Sequence, residues 1–343
     1  MRILVYGAGV LGSICALRLS TAGHDVTLLA RGERLVEIRS NGLRLVEYAS
    51  GESRNANVSL VESFGADDRY DLALIMMQRQ QAIESLPTLA RNRVVPTFLF
   101  IGNCAAGVGM YAKALGENRV LLGFVLSGGY IEEGVVRYGE RDGVIPTIVG
   151  GSALALGEVA EVLKGAFGSV EIDSDIEGWL TTHAATIVPL ACALYSSGGD
   201  ASRLSRTRDG IVLGIRAVRE LFEAERRLGI KMKPKMVRTM IGLPEPILAF
   251  LMSRSLRNPE VAFGLRHALV ARREMLVLAG ELRELVSRAR VSAPYFEIIT
   301  GWIDPSKPPL SEGNRAIPLE WRGVYFAAIG AFILLIVLWR ILM

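Results

Sequence analysis

The first 29 residues show apolar runs around a glycine-rich turn, and this pattern predicts a βαβ unit. The run Arg2–Tyr6 predicts a strand, the segment from Ser13 to about Thr21 predicts a helix, and Asp25–Leu29 predicts a second strand. A turn with the spacing G-x-G-x-x-G joins the first strand to the helix. In this context the spacing is typical of dinucleotide binding.

Further apolar runs predict that the sheet continues through the first half of the chain. Residues 71–77 and 94–101 read as buried strands, and Val120–Gly151 predicts several strands that finish the sheet. Between the second strand and residue 71, Arg39–Asn57 predicts a hairpin-like insert with a turn at Asn41-Gly42. A helix over Leu154–Phe167 and a short strand over 170–172 complete this half.

From Ile176 onward the pattern has the helical period. The predicted helices are Trp179–Tyr195, with a kink or break at Pro189, Gly210–Leu228, Met236–Ser255, broken at its two prolines, and one long helix over Val261–Arg290. The predicted fold class is therefore α/β: a Rossmann-like dinucleotide-binding domain over residues 1–173, followed by an all-helical substrate or dimerisation domain over 174–303.

The end of the chain differs from the rest. Residues 304–322 are polar and proline-rich and predict a linker, and no charge occurs from Val324 to Trp339. About 20 apolar residues match the thickness of a bilayer, so residues 323–343 predict a single transmembrane helix. The alternative is a buried core helix. Because strand one starts at once and leaves no room for a signal peptide, we expect the folded part to lie in the cytoplasm.

Composition excludes several classes of protein. Half of the 343 residues are hydrophobic, and a net charge of +4 with dispersed basic residues gives little support for nucleic-acid binding. The cysteines, Cys15, Cys104 and Cys192, are far apart, as are the three histidines. This spacing favours buried thiols in a reducing compartment and predicts no metal site.

The glycine turn is the predicted cofactor site. Glycine permits a tight turn, close approach of a pyrophosphate and close packing of helix on strand, and the helix N-terminus attracts phosphate. The residues predicted to bind the cofactor here are Gly7, Ala8, Gly9, Val10, Leu11 and Gly12. The alternative is a glycine turn in an ordinary α/β unit.

Arginine occupies the place where the second strand would select the cofactor. NAD sites put an acid there to bind the ribose hydroxyls, whereas this chain has Arg31, with Arg34 one turn later. A guanidinium matches a 2′-phosphate, so the sequence favours NADP(H). The alternative for Arg31 is a solvated loop arginine.

Polar residues follow two of the predicted strands. Gln78 and Arg79 come after residues 71–77, and Asn103 comes after the next strand. Carboxyl ends of parallel strands face the ligand crevice, so these residues are site candidates by position. Asn103 suits a hydrogen bond to nicotinamide or substrate, or is a simple turn asparagine.

With these motifs in view, the chain resembles the ketopantoate reductase (2-dehydropantoate 2-reductase) family. The matching stretch is ILVYGAGVLGSICALRLSTAGHDVTLLARGERL, and Gly102-Asn103 falls where the family has an Asn-Gly loop. The Glu274–Gly280 spacing and Val291–Pro294 resemble its last long helix and exit. The resemblance covers roughly residues 1–303, most strongly at the N-terminus.

The resemblance implies hydride transfer from NADPH to the keto carbon of a 2-keto acid, possession of a proton-donating lysine, and a link to pantothenate biosynthesis. At the lysine position this chain has Thr181, or Leu180 with another anchor point, and the family's second lysine is Gln78. Asparagine positions of the family fall on Ala185 and on Pro189 or Val188, and a serine position on Ala262. Two matches remain, Asn103 and Glu274.

Two residues have open alternatives. His183 could serve as the acid in place of the lysine, or it could be a helix-packing histidine. Glu274 either binds substrate, as the resemblance implies, or lies on a solvated helix face. The predicted catalytic residues are thus Asn103, Glu274 and His183.

Three functions compete. The first is an NADPH-dependent, membrane-anchored reductase of a 2-keto acid or related carbonyl. A homodimer is compatible with this function. The second is a non-catalytic, membrane-anchored NADP(H)-binding sensor or scaffold, because the lysine is missing. The third is a Rossmann-like domain that no longer binds a dinucleotide.

Overall fold

The computed structural model describes residues 1–125, 127–139, 147–321 and 323–324, which form two compact units. Unit 1 contains Met1–Ala184 and Arg266–Glu281; unit 2 contains Ala185–Leu265 and the described residues from Leu282 onward. A late helical segment therefore clusters with the N-terminal residues. The predicted domain limits stay predictions.

The strands and helices alternate in the first half, and helices follow one another in the second. The strands are β1 (Arg2–Tyr6), β2 (Asp25–Leu29), β3 (Leu43–Glu47), β4 (Ser53–Ala56), β5 (Ser59–Val61), β6 (Leu72–Ile75), β7 (Phe98–Ile101), β8 (Val120–Phe124), β9 (Gly128–Glu132), β10 (Val135–Gly139), β11 (Thr147–Gly151) and β12 (Val170–Ile172). The helices are α1 (Val10–Thr21), α2 (Gly32–Asn41), α3 (Arg79–Arg91), α4 (Gly109–Leu115), α5 (Leu156–Phe167), α6 (Ile176–Tyr195), α7 (Ala201–Arg206), α8 (Arg208–Arg227), α9 (Lys235–Ile241), α10 (Glu245–Ser255), α11 (Pro259–Val270), α12 (Arg272–Ala289) and α13 (Pro294–Thr300).

Unit 1 is built on an eight-stranded sheet with the order β12-β11-β8-β7-β6-β1-β2-β5. Its central strands are parallel, and β11 runs antiparallel to β8. Along β1, Ile3 and Val5 enter one hydrophobic cluster and Leu4 and Tyr6 enter another. Because side chains alternate across a strand, a continuous apolar run is what a sheet covered on both faces requires. The predicted Rossmann-like architecture with a helical second part is confirmed.

A second, four-stranded sheet of unit 1 has the order β4-β3-β10-β9. The predicted hairpin is present, since β3 pairs antiparallel with β4. Two details were wrong. Asn41-Gly42 ends α2 rather than turning the hairpin, and β9 and β10 join β3 instead of finishing the main sheet.

The predicted helix over Gly210–Leu228 corresponds to α8. One apolar stripe of α8 is buried: Ile211, Ile215, Val218, Leu221 and Phe222. The helix α6 continues through Pro189. The predicted break between α9 and α10 is present, with a bend of 114°.

The predicted long helix over Val261–Arg290 is instead two helices, α11 and α12, separated at Ala271. On α12, Met275 and Leu278 are buried, while Leu276 is 55% exposed. No glycine or proline marks the break at Ala271 in the sequence, so the pattern alone does not reveal it.

The segment predicted to be a linker is hydrogen-bonded along unit 2. Asp209 accepts bonds from the backbone N–H groups of Ala316 (2.8 Å) and Ile317 (3.1 Å), and Arg208 donates to the carbonyl of Ile317 at 2.7 Å. Leu310 donates its backbone N–H to the carbonyl of Ser196 at 2.8 Å. We call residues 304–321 the strap, because these bonds hold it on the helices.

A buried ion pair fixes the end of the strap. Arg216 donates two hydrogen bonds to Glu245, at 2.9 and 2.8 Å, and a third to the carbonyl of Pro318 at 2.8 Å. Glu245 also accepts from the backbone N–H of Glu320 at 3.0 Å. Burial alone would raise the pKa of Glu245, but the bonds from Arg216 and Glu320 outweigh burial and lower it.

Within the part of the chain that the structure describes, no single helix is both long and apolar enough to cross a membrane. The bent pair α9–α10 meets the criteria of length and composition only when its two helices are taken together. Apart from Gly323 and Val324, the predicted transmembrane helix over 323–343 lies outside the described residues.

Replacing Glu245, which is 0% exposed, with Gln removes the buried counter-charge of Arg216, which is 9% exposed, and leaves it only the largely exposed Glu320 at 3.7 Å. We expect the free energy of unfolding of unit 2 to fall by about 3–5 kcal/mol, the usual effect of removing one partner of a buried pair. Chemical unfolding measures this change. Glu223→Gln is the control, because Glu223 pairs with Arg226 and Arg227 at the surface and should change little. Equal effects of the two variants would contradict the assignment.

Candidate functional site

The turn between β1 and α1 has geometry that only glycine allows at two positions. Gly7 has a φ of +124°, and a Cβ placed on it would lie 2.4 Å from the carbonyl oxygen of Met76. A Cβ on Gly12 would lie 1.8 Å from the carbonyl oxygen of Gly7. Both distances are far below van der Waals contact. The first turn of α1 is therefore packed directly on the ends of β1 and β6.

Gly9 serves a different purpose. It is the N-cap of α1, and a Cβ built there meets no described atom within 4 Å. No side chain caps the helix, and its first turn, Val10 and Leu11 included, has no acidic residue. The positive end of the helix dipole thus faces open space beside Ala8 and Gly9. This arrangement fits a pyrophosphate.

Arg31 and Arg34 lie beside this turn. Arg31 is the N-cap of α2 directly after β2; it is exposed, donates a hydrogen bond to the Tyr6 hydroxyl and lies over that ring. Arg34 donates to the carbonyl of Ala8 at 3.1 Å and to Glu37 at 2.6 Å, and its Nη2 lacks a partner among the described residues. Arg31 is thus the more accessible of the two guanidinium groups.

Two predicted site residues lie at the carboxyl edge of neighbouring strands. In the sheet β6 lies between β1 and β7, so Gln78 after β6 and Asn103 after β7 follow adjacent strands. Gln78 is the N-cap of α3, where it forms a capping box with Gln81. The buried Oδ1 of Asn103 has no hydrogen-bond partner among the described residues. An unpaired buried acceptor is costly, so a donor from a ligand would satisfy it.

Glu274 and Thr181 reach the same edge. Glu274, which is 2% exposed, accepts a hydrogen bond from the backbone N–H of Arg79 at 3.1 Å. The alternative of a solvated helix face for Glu274 is therefore wrong. The hydroxyl of Thr181, at the position of the family lysine, donates to the carbonyl of Glu177 at 2.8 Å and contacts that of Ala105 at 3.4 Å. A hydroxyl held in this way is a hydrogen-bonding group and not a cationic acid.

A buried charge pair that the sequence analysis missed holds this edge together. Arg79 donates through Nε to Glu281 at 2.6 Å, and its guanidinium lies over the Tyr111 ring. Glu281 also accepts from the backbone N–H groups of Ala105 and Ala106, at 2.8 and 3.0 Å. The spacing offered one clue: Glu281 follows Glu274 by seven residues, two helical turns, which places both carboxylates on one face of α12.

His183 is surrounded by aromatic rings. Its imidazole stacks on Trp179 at 5.2 Å and lies 4.3 Å from the ring of Phe124. Burial lowers the pKa of His183 to about 4. The imidazole is therefore neutral near pH 7, which favours the helix-packing alternative over an acid that carries a proton. The assigned roles of Asn103, Glu274 and His183, and of the cofactor residues, stay predictions.

The fold and the glycine turn together define a Rossmann-type dinucleotide-binding unit followed by a helical unit. Residues 3–146 match the model of the family described as ketopantoate reductase PanE/ApbA. This match includes the glycine turn, Arg31, Gln78 and Asn103, and six of the eight strands of the sheet that carries them.

Similar proteins of known name agree with this family. A 2-dehydropantoate 2-reductase of Mesorhizobium japonicum is 38% identical over 93 residues, which are 26% of this chain and 28% of that protein. That of Archaeoglobus fulgidus is 27% identical over 212 residues, which are 59% and 67% of the two chains. The chain thus spans between about a quarter and two thirds of the length of these relatives.

Solved structures share the fold over nearly the whole of their length. A PanE/ApbA family ketopantoate reductase from Ralstonia eutropha has a TM-score of 0.67 at 20% identity and covers 88% of this chain and 97% of its own. D-Mandelate dehydrogenase in a ternary structure with NADH and anilino(oxo)acetate has a TM-score of 0.69 at 15% identity and covers 88% and 97%. The chain is therefore similar to ketopantoate reductases over residues 3–146, and it shares the fold of the solved members over most of its length.

Stability should depend on pH through His183. Below pH 6.5 an exposed histidine of the unfolded chain binds a proton, whereas the folded residue does so only near pH 4. The free energy of unfolding should therefore fall as the pH drops from 6.5 toward 4. His183→Gln should make this fall shallower, as measured by chemical unfolding at several pH values. Comparison at pH 8 separates any packing defect, and an unchanged slope would refute the assignment.

Proposed function

We propose that the protein is an NADP(H)-dependent oxidoreductase that reduces a 2-keto acid or related carbonyl, anchored in a membrane by residues 323–343. The names of the family and its relatives point to an oxidoreductase of the 2-dehydropantoate 2-reductase type, acting on CH–OH. They give no support to a non-catalytic role. The family supports a nicotinamide dinucleotide as cofactor, and NADP(H) in particular is part of the proposal.

The observation that carries the proposal is the open space over Gly9 at the uncapped start of α1. Gly7 and Gly12 are glycine because protein atoms crowd them, but nothing described crowds Gly9. At the uncapped start of α1, a glycine with open space above it leaves the backbone N–H groups accessible to a ligand. A pyrophosphate is the ligand that an uncapped helix start at the end of a central parallel strand suits best.

Arg31 supports NADP(H) over NAD(H). The chain has no acid between Leu29 and Arg31 to bind ribose hydroxyls, and the Arg31 guanidinium is exposed at the end of β2. Its bond to Tyr6 and its stacking on that ring orient it. A planar guanidinium in a fixed orientation binds a 2′-phosphate with charge-assisted hydrogen bonds.

On the substrate side, hydrogen-bonding residues stand at the positions where the family has lysines. NADPH, when bound, supplies the hydride for a carbonyl carbon. Asn103 would donate to the carbonyl oxygen or orient the cofactor amide, and Glu274 would hold the α3 end in place. Since Gln78 and Thr181 occupy the lysine positions and His183 is neutral, the proton for the new hydroxyl comes from water in this proposal. Turnover should accordingly be slow.

Two further parts of the proposal concern location and assembly. Residues 323–343, in which Arg340 is the only charged residue, are long enough for one membrane span, and the described units lie on the cytoplasmic side. A homodimer is the assembly compatible with a family of this kind. The alternative function, an anchored NADP(H)-binding sensor or scaffold, differs from the reductase only in lacking turnover.

Nucleotide binding is tested by calorimetry with NADPH. Gly9→Asp should abolish binding without unfolding the protein, because its side chain meets no described atom and only adds a negative charge where the phosphates lie. Arg31→Glu should weaken NADPH by roughly tenfold to a hundredfold, and NADH much less, since a charged hydrogen bond is lost. Arg39→Glu on the exposed end of α2 is the control. Wild-type protein that binds neither nucleotide would refute the proposal.

Turnover is tested by NADPH oxidation with a panel of 2-keto acids. We expect at least one substrate, and a kcat/KM roughly tenfold or more lower in Asn103→Ala, because one hydrogen bond to the reacting groups is removed. His183→Gln should retain activity. NADPH binding without oxidation by any member of the panel would favour the sensor instead.

A further inference from the structure

The helices α9 and α10 of unit 2 expose a group of large apolar side chains. Met236 and Met240 are one helical turn apart on α9, and Ile247, Phe250 and Leu251 share one face of α10. These five side chains, which we call the α9–α10 patch, are between 43% and 66% exposed. Single exposed apolar residues are common, but a cluster with helical spacing on two adjoining helices indicates a binding surface.

The helix α9 has little reason to form without a partner. It has seven residues, and none of them is buried. A helix this short is unstable in water by itself and depends on packing for its stability. None of its apolar side chains is buried in unit 2. Packing against something outside the described residues would therefore stabilise α9.

Basic residues flank the patch in the sequence. The segment 231–257 contains Lys231, Lys233, Lys235, Arg238, Arg254 and Arg257. Its single acid, Glu245, is buried against Arg216, so the segment carries six positive charges against one negative. Half of the six lysines of the chain lie within residues 231–235.

The apolar end of the chain begins at the same place. A Cβ on Gly323 would lie 3.4 Å from Pro244, the residue before α10, so the chain passes against the junction of the two helices. Trp321, two residues earlier, is half exposed. The uncharged run then continues from Val324.

We propose that the α9–α10 patch is a membrane-docking surface that inserts its apolar side chains into the interface of an anionic bilayer. Apolar residues with a rim of lysine and arginine are typical of interfacial helices, and anionic lipid attracts each basic residue. The cores of protein–protein interfaces are instead depleted in lysine. This inference rests on the proposed membrane anchor, since residues 323–343 would bring the patch to the bilayer.

The test uses the full chain in vesicles with a fluorescent probe at Leu251→Cys. The three native cysteines are buried, so labelling is confined to the new residue. Leu154→Cys is the matched control, because Leu154 is an exposed leucine of unit 1. Lipids that carry a nitroxide in the acyl chain quench only a probe that contacts them.

In vesicles that contain phosphatidylserine we expect loss of emission at position 251 and none at 154. Lys231→Gln with Lys235→Gln should reduce the quenching to the level seen in phosphatidylcholine alone, and Lys164→Gln should not change it. The charge effect should be about fivefold per residue at most, the value for a basic group at an anionic surface.

Flotation of the same samples separates the two proposals. If the protein floats with the vesicles but the probe at 251 is not quenched, the anchor holds and the docking surface is wrong. A probe that is shielded from water yet not quenched by lipid shows that residues 325–343 or a second copy cover the patch, which also overturns the inference. Protein that does not float refutes both proposals.

Discussion

The contact between the start of α1 and the backbone of Gly7 sets the geometry of unit 1. With 1.8 Å between the carbonyl oxygen of Gly7 and a Cβ on Gly12, any side chain there would push α1 away from the sheet. The start of α1 therefore lies as close to the end of β1 as the backbone allows. The open space over Gly9 and the packing of this turn against Met76, after β6, both depend on this one close approach.

Around that contact, unit 1 places charged side chains at the carboxyl edge of its sheet. Arg79 and Glu281 neutralise each other, and Glu281 also fixes two backbone N–H groups of the loop after β7. Glu274 likewise fixes the backbone N–H group of Arg79 at the start of α3. Carboxylates of α12 thus position the loops from which Gln78 and Asn103 come. The support of both loops therefore comes from one helix that lies far from them in the sequence.

The sequence alone was sufficient to predict those elements whose patterns lie within a few neighbouring residues. Strand β1, the glycines and helix α1 lie within 21 residues, and each has its own pattern, so their bounds were predicted closely. The partner of β10 could not be predicted in this way, because β3 lies some 90 residues earlier and pairing over such distances leaves no local trace. Glu281 stands near several arginines in a helix that looks solvated, and its spacing from Glu274 does not by itself show that it pairs with Arg79. The interpretation of 304–318 as a free linker came from prolines and polar residues, which do not show that Arg208 and Asp209 bind that backbone.

The strap limits the distance between unit 2 and the apolar end of the chain. A free linker of 15 residues could extend to about 50 Å, whereas only three residues separate the bond between Glu320 and Glu245 from Gly323, a span of about 10 Å at most. If the apolar run enters a bilayer, unit 2 is held at a fixed height above the lipid and cannot swing away from it. Diffusion of the protein is then two-dimensional, and its encounters with other membrane-bound proteins occur within a layer as thin as the unit itself.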